Sequence, residues 1–489
     1  MRTGVFIFAS LICAPAVAWA TPISTNQKAD IVLGQPSFTA MNNPSTPSAS
    51  NMSSVRGIAV DPTTGKIFVA DTNNNRVLRF ASADALSNGA AAEIVLGQPD
   101  FVSKGFGTTS TTMSSPCGAA VDGYGTLWVA DFNNQRVLRF DNASSKVTGA
   151  AADGVLGQMD FVSSNVSFPP TQSSLTGPFC IAANKFGTIW IADPNVNRVL
   201  RFDYASAKPN GANADAVLGQ PDFVSFNAPA TPTAASMDSP DGITVDADDN
   251  LWVVDSNNNR VLRFDHASIK PLTGASADAV LGQPLFTTNA SGLTQYGFVS
   301  PSGCGIDSNG TLWVSHFFNH RVLGFHNALT KSNGALADVV LGQTAFDIAV
   351  SYVPPTASSL DSPQQIATDS SGNVWITSSN RVLRFHPADA TTTPTPTQTA
   401  PAPPTLALAG KSTQQTSHST IRIKGSATGA AGLARVEYRG SKGGYSTAKG
   451  TTAWSFTVKL HPGSNVFFVR AMDALGQTSA VQKITVVRK

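Results

Sequence analysis

His316 and His320 flank Phe317 and Phe318 in an H-x-x-x-H spacing, and Cys304 lies one segment earlier. Two imidazole nitrogens and a thiolate form a donor set suited to a divalent zinc or copper ion. On a helix this spacing brings both rings to one face, but here it falls in a turn. His316 also stands where sister segments carry aspartate, so a drifted structural position is the competing reading. Cys117 and Cys180 recur about one repeat apart, and a disulfide between neighbouring strands would need Cα atoms ~4.4–6.8 Å apart. Their registers differ by one residue. No G-x-S-x-G elbow, phosphate-binding loop or zinc-protease helix occurs in the chain.

The elements that must position these residues follow from composition and repetition. In 489 residues there are 40 Gly and 30 Pro, only 13% are charged, and the only glutamates are Glu93 and Glu437. This excludes a coiled coil, a collagen-like chain and charge-driven disorder, and it leaves few helices. A block beginning at Leu33, Leu96, Leu156, Leu218, Leu281 and Leu341 reads LGQ-x-x-F each time. After each block come a Ser/Thr/Pro-rich loop, a short apolar run such as GIAVD from Gly57, a second such as LWVAD from Leu127, and a third, RVLRF, from Arg76. Short β-branched runs between Gly, Asn and Asp clusters predict strands and turns. Six such units predict an all-β, six-bladed β-propeller, whose radial sheets leave only short, protected edges. Because the last unit ends at Phe385 without a seventh LGQ, the strand near Ile31–Gln35 is expected to complete the final blade from outside.

Repetition sorts architecture from candidate sites. The aromatic of the second strand (Phe68, Trp128, Trp190, Trp252, Trp313, Trp375) holds equivalent positions and is expected to pack between blades rather than stack on sugar. Asp71, Asp131, Asp193 and Asp255 precede Arg76, Arg136, Arg198 and Arg260 by five residues each, which predicts one structural Asp-to-turn or Asp-to-Arg hydrogen-bond set per blade. Six residues after the leading proline do not repeat: Arg56, Cys117, Phe179, Asp241, Ser302 and Gln364, with Val55 in the proline's place in the first unit. They are expected to ring the axial mouth and bind an asymmetric ligand. The alternative is exposed loop positions free to vary. The sixth unit is shortened, with Trp375 six residues before Arg381 where Trp128 lies eight before Arg136.

Strings such as V-R-G-I-A-V-D from Val55, V-A-D from Val69 and N-N-R-V from Asn74 resemble the NHL repeat, whose pattern is P-x-G-I-A-V-D, V-A-D and N-x-R-V, over about residues 30–387. That resemblance implies a six-bladed propeller, and NHL propellers include protein-binding, RNA-binding and enzymatic members. Lactonase propellers are similar in scaffold but imply a metal site that includes glutamate, and here Glu93 lies on the wrong connection. The amidating-lyase type implies several axial histidines, which the inner strands do not carry.

Arg2, the apolar stretch Val5–Ala14 and Ala18-Trp19-Ala20 read as a signal peptide cut after Ala20, so a secreted or periplasmic protein is expected, with no transmembrane segment. Residues 388–404 read as a Thr/Pro-rich linker. Residues 405–489 alternate as an antiparallel β-sandwich, and Trp454–Asn465 and Ala471–Gly476 resemble bacterial Ig-like modules. From 402 onward twelve Lys or Arg face only Glu437 and Asp473, a net +10, while residues 3–401 carry −9. The basic module is expected to favour anionic surfaces or polysaccharide, and specific nucleic-acid binding by the propeller is not expected.

The leading functional expectation is an exported binding module taking a protein, peptide or glycan at the axial-mouth face. The alternative is an extracellular lyase- or lactonase-like enzyme using a metal at that mouth; otherwise no cofactor is expected.

Overall fold

A computed structural model describes residues 22–387, 404–429, 433–441, 445–473 and 478–489. The proposed signal peptide and all but the last residue of the proposed linker lie outside the described residues, as do residues 474–476 of the second Ig-like motif. The chain divides into two compact units, Met1–Asp389 and Ala390–Lys489.

The first unit is a β-propeller of six four-stranded antiparallel sheets. In the second sheet, for example, Pro116–Val121, Leu127–Asp131, Arg136–Phe140 and Gly154–Leu156 follow in order from axis to rim. The ring closes as its sequence offset predicts: Ile31–Leu33 pairs with Arg381–Phe385 through Val32 and Leu383, so the first strand is the outermost strand of the sixth sheet. Among the described residues, no helix is long and apolar enough to cross a membrane.

Two repeated devices set this geometry. The glycine of each LGQ block has positive φ, from +81° at Gly34 to +87° at Gly157, and a Cβ at Gly157 would lie 2.7 Å from Leu175. The following glutamine staples the rim loops, since Gln98 Nε2 donates to Asn75 O at 2.9 Å and to Gly105 O at 2.7 Å. Toward the axis, the P-x-G glycine lets inner strands crowd together, because a Cβ at Gly118 would lie 2.4 Å from Phe179 O. The second-strand aromatics are fully buried and pack against the next sheet: Phe68 lies in one cluster with Leu127 and Val129, and Trp252 in one with Leu312 and Val314. Three of the indoles also donate to the aspartate that ends the first strand, as Trp128 does to Asp122 at 3.2 Å.

The second unit is a β-sandwich of a three-stranded and a five-stranded sheet around Ile423, Val436, Trp454, Phe456, Val469 and Ile484. It departs from the expected all-antiparallel pairing at one place, where Thr413–Thr416 runs parallel to Gln482–Arg488. Glu437 takes both Arg435 and Arg470, and Lys411, Lys424, Lys459 and Lys483 stay exposed.

Candidate functional site: a cleft before the sixth sheet

In five sheets the start of the first strand pairs with the end of the second, as Pro116 does with Asp131, so the leading residue and the turn after the second strand share one rim. There, in four sheets, the arginine Nε donates to the aspartate: Asp71–Arg76 at 2.8 Å, Asp131–Arg136 at 2.7 Å, Asp193–Arg198 at 3.3 Å and Asp255–Arg260 at 2.7 Å, with every side chain fully buried. The same carboxylates accept from Asn74, Asn134 and Asn258, and from backbone N–H groups such as Ser114 N. The outer guanidinium nitrogens hold loop carbonyls, Arg136 reaching Phe161, Thr109 and Thr112. Burial pushes the Asp131 carboxyl upward against the pull of Arg136, so the pair is held by its complete hydrogen-bond set rather than by Coulomb attraction alone.

The fifth sheet shows what the two histidines do. His316 occupies the aspartate's register opposite Arg321, is fully buried, and packs edge-on against Phe298 with ring centroids 4.9 Å apart. Burial holds its pKa well below the ordinary histidine value. Both ring nitrogens, together with Asn319 Nδ2 and Arg321 Nε, are buried without hydrogen-bond partners. His320 instead takes over the job of the residue before each arginine. Its Nδ1 accepts from Ser362 N at 3.2 Å, as Asn75, Asn197 and Asn259 Oδ1 accept from Ser115, Ser239 and Ser300. The metal reading of His316 and His320 is thereby corrected, since one ring is sealed in the sheet and the other ties two sheets together. No group of three or more His, Cys, Asp or Glu among the described residues could hold a metal ion.

The Cys117–Cys180 bridge is also corrected, because Cys117, Cys180 and Cys304 are all free buried thiols. Each sulfur is turned instead to carbonyl oxygens of the next sheet. Cys117 Sγ faces Pro178 O and Phe179 O, while Cys180 Sγ faces Ile243 O and accepts from Gln365 Nε2 at 2.8 Å. Burial pushes both thiols up, Cys180 to about 11, and neither is a thiolate at neutral pH.

Of the non-repeating residues, Arg56, Cys117, Phe179, Ser302 and Gln364 line one axial pocket, which leaves only about 10 Å³. Arg56 lies over the Phe179 ring, 5.6 Å from its centroid, and its Nε is buried without a partner. Asp241 is not among the lining residues. It hydrogen-bonds Ser256 and Ser239, and burial pushes its carboxyl up to about 7 against those bonds and the charge of Arg56. At this rim the axis is therefore nearly filled.

Room opens beside it. In the first five sheets a 3₁₀ turn such as Phe132–Asn134 joins the second and third strands, whereas Ser378 and Arg381 are joined by Ser379 and Asn380 alone. A cleft of about 330 Å³ borders this short turn, with Ser378, Ser379, Asn380 and Arg381 on one side. Met41, Phe317, Tyr352, Val353 and Pro355 supply apolar walls, and Arg56 and Gln364 connect it to the axial set. Asp361 also borders it, accepting from Ser379 Oγ at 2.7 Å. Tyr352, Ser378 and Asn380 are absent from the residues expected at the mouth. The shortened Trp375–Arg381 spacing marks Ser378 and Asn380 but not Tyr352.

The NHL repeat family matches residues 53–80 and 237–264, which span the inner strands of the first and fourth sheets. Among solved structures, a gluconolactonase from Xanthomonas campestris is similar at 16% identity and a TM-score of 0.40, over 75% of this chain and 98% of that one. Virginiamycin B lyase from Staphylococcus aureus is similar at 15% identity and a TM-score of 0.38, over 71% and 83%. A chain of a nidogen/laminin complex is similar at 15% identity and a TM-score of 0.36, over 58% and 83%. Likeness at this level transfers no site and no activity to this chain. The first unit is thus a β-propeller in which two of the six like sheets match the NHL repeat.

Proposed function

We propose that this protein is an exported binding module whose propeller takes a short segment of a partner in the cleft before the sixth sheet. The basic sandwich, in this reading, positions it on an anionic surface. The observation that carries the reading is the coincidence of the cleft with the one broken turn, next to two of the six non-repeating mouth residues, Arg56 and Gln364. A volume of about 330 Å³ with aromatic walls and a few polar groups suits a ligand side chain or a terminal segment. The enzyme reading has less support. His320, Asp361 and Ser379 do cluster, but Asp361 lies between the other two, with His320 Nδ1 3.3 Å away, whereas nucleophilic catalysis needs the histidine on the serine.

The test is an array of peptides and glycans, anionic polysaccharides included, probed with the full chain and with Tyr352→Ala at low and raised salt. The expected result is a ligand that Tyr352→Ala binds at least about tenfold more weakly, as for a buried aromatic anchor. Retention on anionic polysaccharide should survive that substitution and fall with salt. Ligands bound equally by both proteins would contradict the cleft, and salt-independent retention would contradict the role of the sandwich.

A further inference from the structure

Four sheets answer a buried arginine with their own carboxylate, and the sixth does not. Arg381 lies in the register of Arg76, Arg136, Arg198 and Arg260, but the residue across from it is Ser378. Its Nη atoms still hold loop carbonyls, Phe38 O at 2.6 Å and Ser359 O at 2.9 Å, so the guanidinium is fixed as in the other sheets. Ser378 Oγ meanwhile accepts from Asp361 N at 2.8 Å, the bond that Asp131 makes with Ser114 N in the second sheet. The backbone donor is therefore satisfied and the guanidinium Nε has no carboxylate. Burial lowers the pKa of Arg381 to about 10 against the charge of Asp361, which is near but not hydrogen-bonded to it, and leaves it cationic at neutral pH.

A second guanidinium without a hydrogen-bonded carboxylate borders the same cleft. Arg56 makes no ion pair among the described residues, and its Nε has no hydrogen-bond partner. The one acid of the lining, Asp361, is already engaged by Ser379 Oγ and lies beside His320. Within the lining two guanidiniums stand against one carboxylate, and the other carboxyl that feels the Arg56 charge, Asp241, lies outside the lining and is pushed up to about 7 by burial, which leaves room for one negative charge in the cleft. Apolar walls from Met41, Phe317 and Val353 ask for an apolar group attached to it. The rim's polar atoms are largely spoken for, since Asn380 Oδ1 accepts from Ser54 N at 2.8 Å and Gln35 Nε2 donates to Asn42 O at 2.8 Å. A sugar ring would find few free partners for its hydroxyls, whereas a peptide end brings one carboxylate and one side chain.

We propose that the cleft captures the free C-terminal carboxylate of a peptide with an apolar last side chain, the ligand's carboxylate replacing the aspartate that the sixth sheet lacks. This rests on the cleft being the docking site, and the experiment separates the two claims. The probe is a fluorescein-labelled peptide pool, randomised at internal positions and ending in phenylalanine, compared as free acid and as C-terminal amide by anisotropy against the full chain. The acid is expected to bind, and the amide at least about tenfold more weakly, as for loss of a charged hydrogen-bonding partner. Ser378→Asp, which supplies an internal carboxylate, should abolish binding of the acid with no loss in denaturation midpoint. Arg56→Gln should weaken it about tenfold. Equal binding of acid and amide, sensitive to Tyr352→Ala, would overturn carboxylate recognition and leave the docking site standing. Binding indifferent to Tyr352→Ala would remove the docking site as well. Capture of an acidic oligosaccharide with no binding of the acid pool would overturn the peptide assignment.

Discussion

Asp131→Ala is expected to lower the unfolding free energy by about 3–5 kcal/mol, the usual cost of removing one partner from a buried ion pair. The loss comes from what stays behind. Arg136 keeps its charge in a fully buried position, and Asn134 Nδ2 and Ser114 N lose the acceptor they share. The double variant Asp131→Ala with Arg136→Met should cost less than the sum of the two single changes, because no uncompensated charge remains. Denaturant unfolding of the full chain and its variants measures both. A loss below about 1 kcal/mol for Asp131→Ala would mean that the rim pairs are ornaments of the repeat rather than the bonds that hold its loops.

The opposite sign is expected in the fifth sheet. His316→Asp should raise stability by about 2–3 kcal/mol, since one carboxylate there would serve Arg321 Nε and Asn319 Nδ2 and remove two unpartnered ring nitrogens. Each buried polar group left unpaired costs ~1–3 kcal/mol, and the gap left by the smaller side chain beside Phe298 offsets part of the gain. The midpoint of denaturant unfolding reads the change. A destabilised variant that also releases a bound ion would restore the metal reading of His316.

How much of this could be read in the residues alone depends on whether the information is local. The LGQ blocks and the RVLRF strands carried the sheets, their order and the ring closure through Ile31–Leu33, because period-two patterning and a Gly needing positive φ are written in neighbouring residues. The Asp–Arg sets were legible for the same reason, as a five-residue spacing repeated four times. The histidines misled because residue type suggests a ligand while register decides the role. His316 sits in an aspartate's register and His320 in an asparagine's, and only strand pairing reveals both. The cysteines misled because spacing brings them to neighbouring strands but does not say that each sulfur is taken up by carbonyls of the next sheet. The axial mouth was half legible: five of its six residues do meet, but the glycines that bring the inner strands together also fill the space between them. The cleft depends on an omission, two residues missing from one turn, and Tyr352 reaches it from a loop that no periodicity describes.

The central claim is that ligand binds where the repeat is broken. Hydrogen–deuterium exchange on the full chain, with and without a saturating ligand from the arrays, tests it most directly. The account predicts slowed exchange in residues 352–364 and 378–381, with the equivalent turn at 132–136 unchanged. Protection confined to the second unit, or spread evenly over all six rim turns, would contradict it.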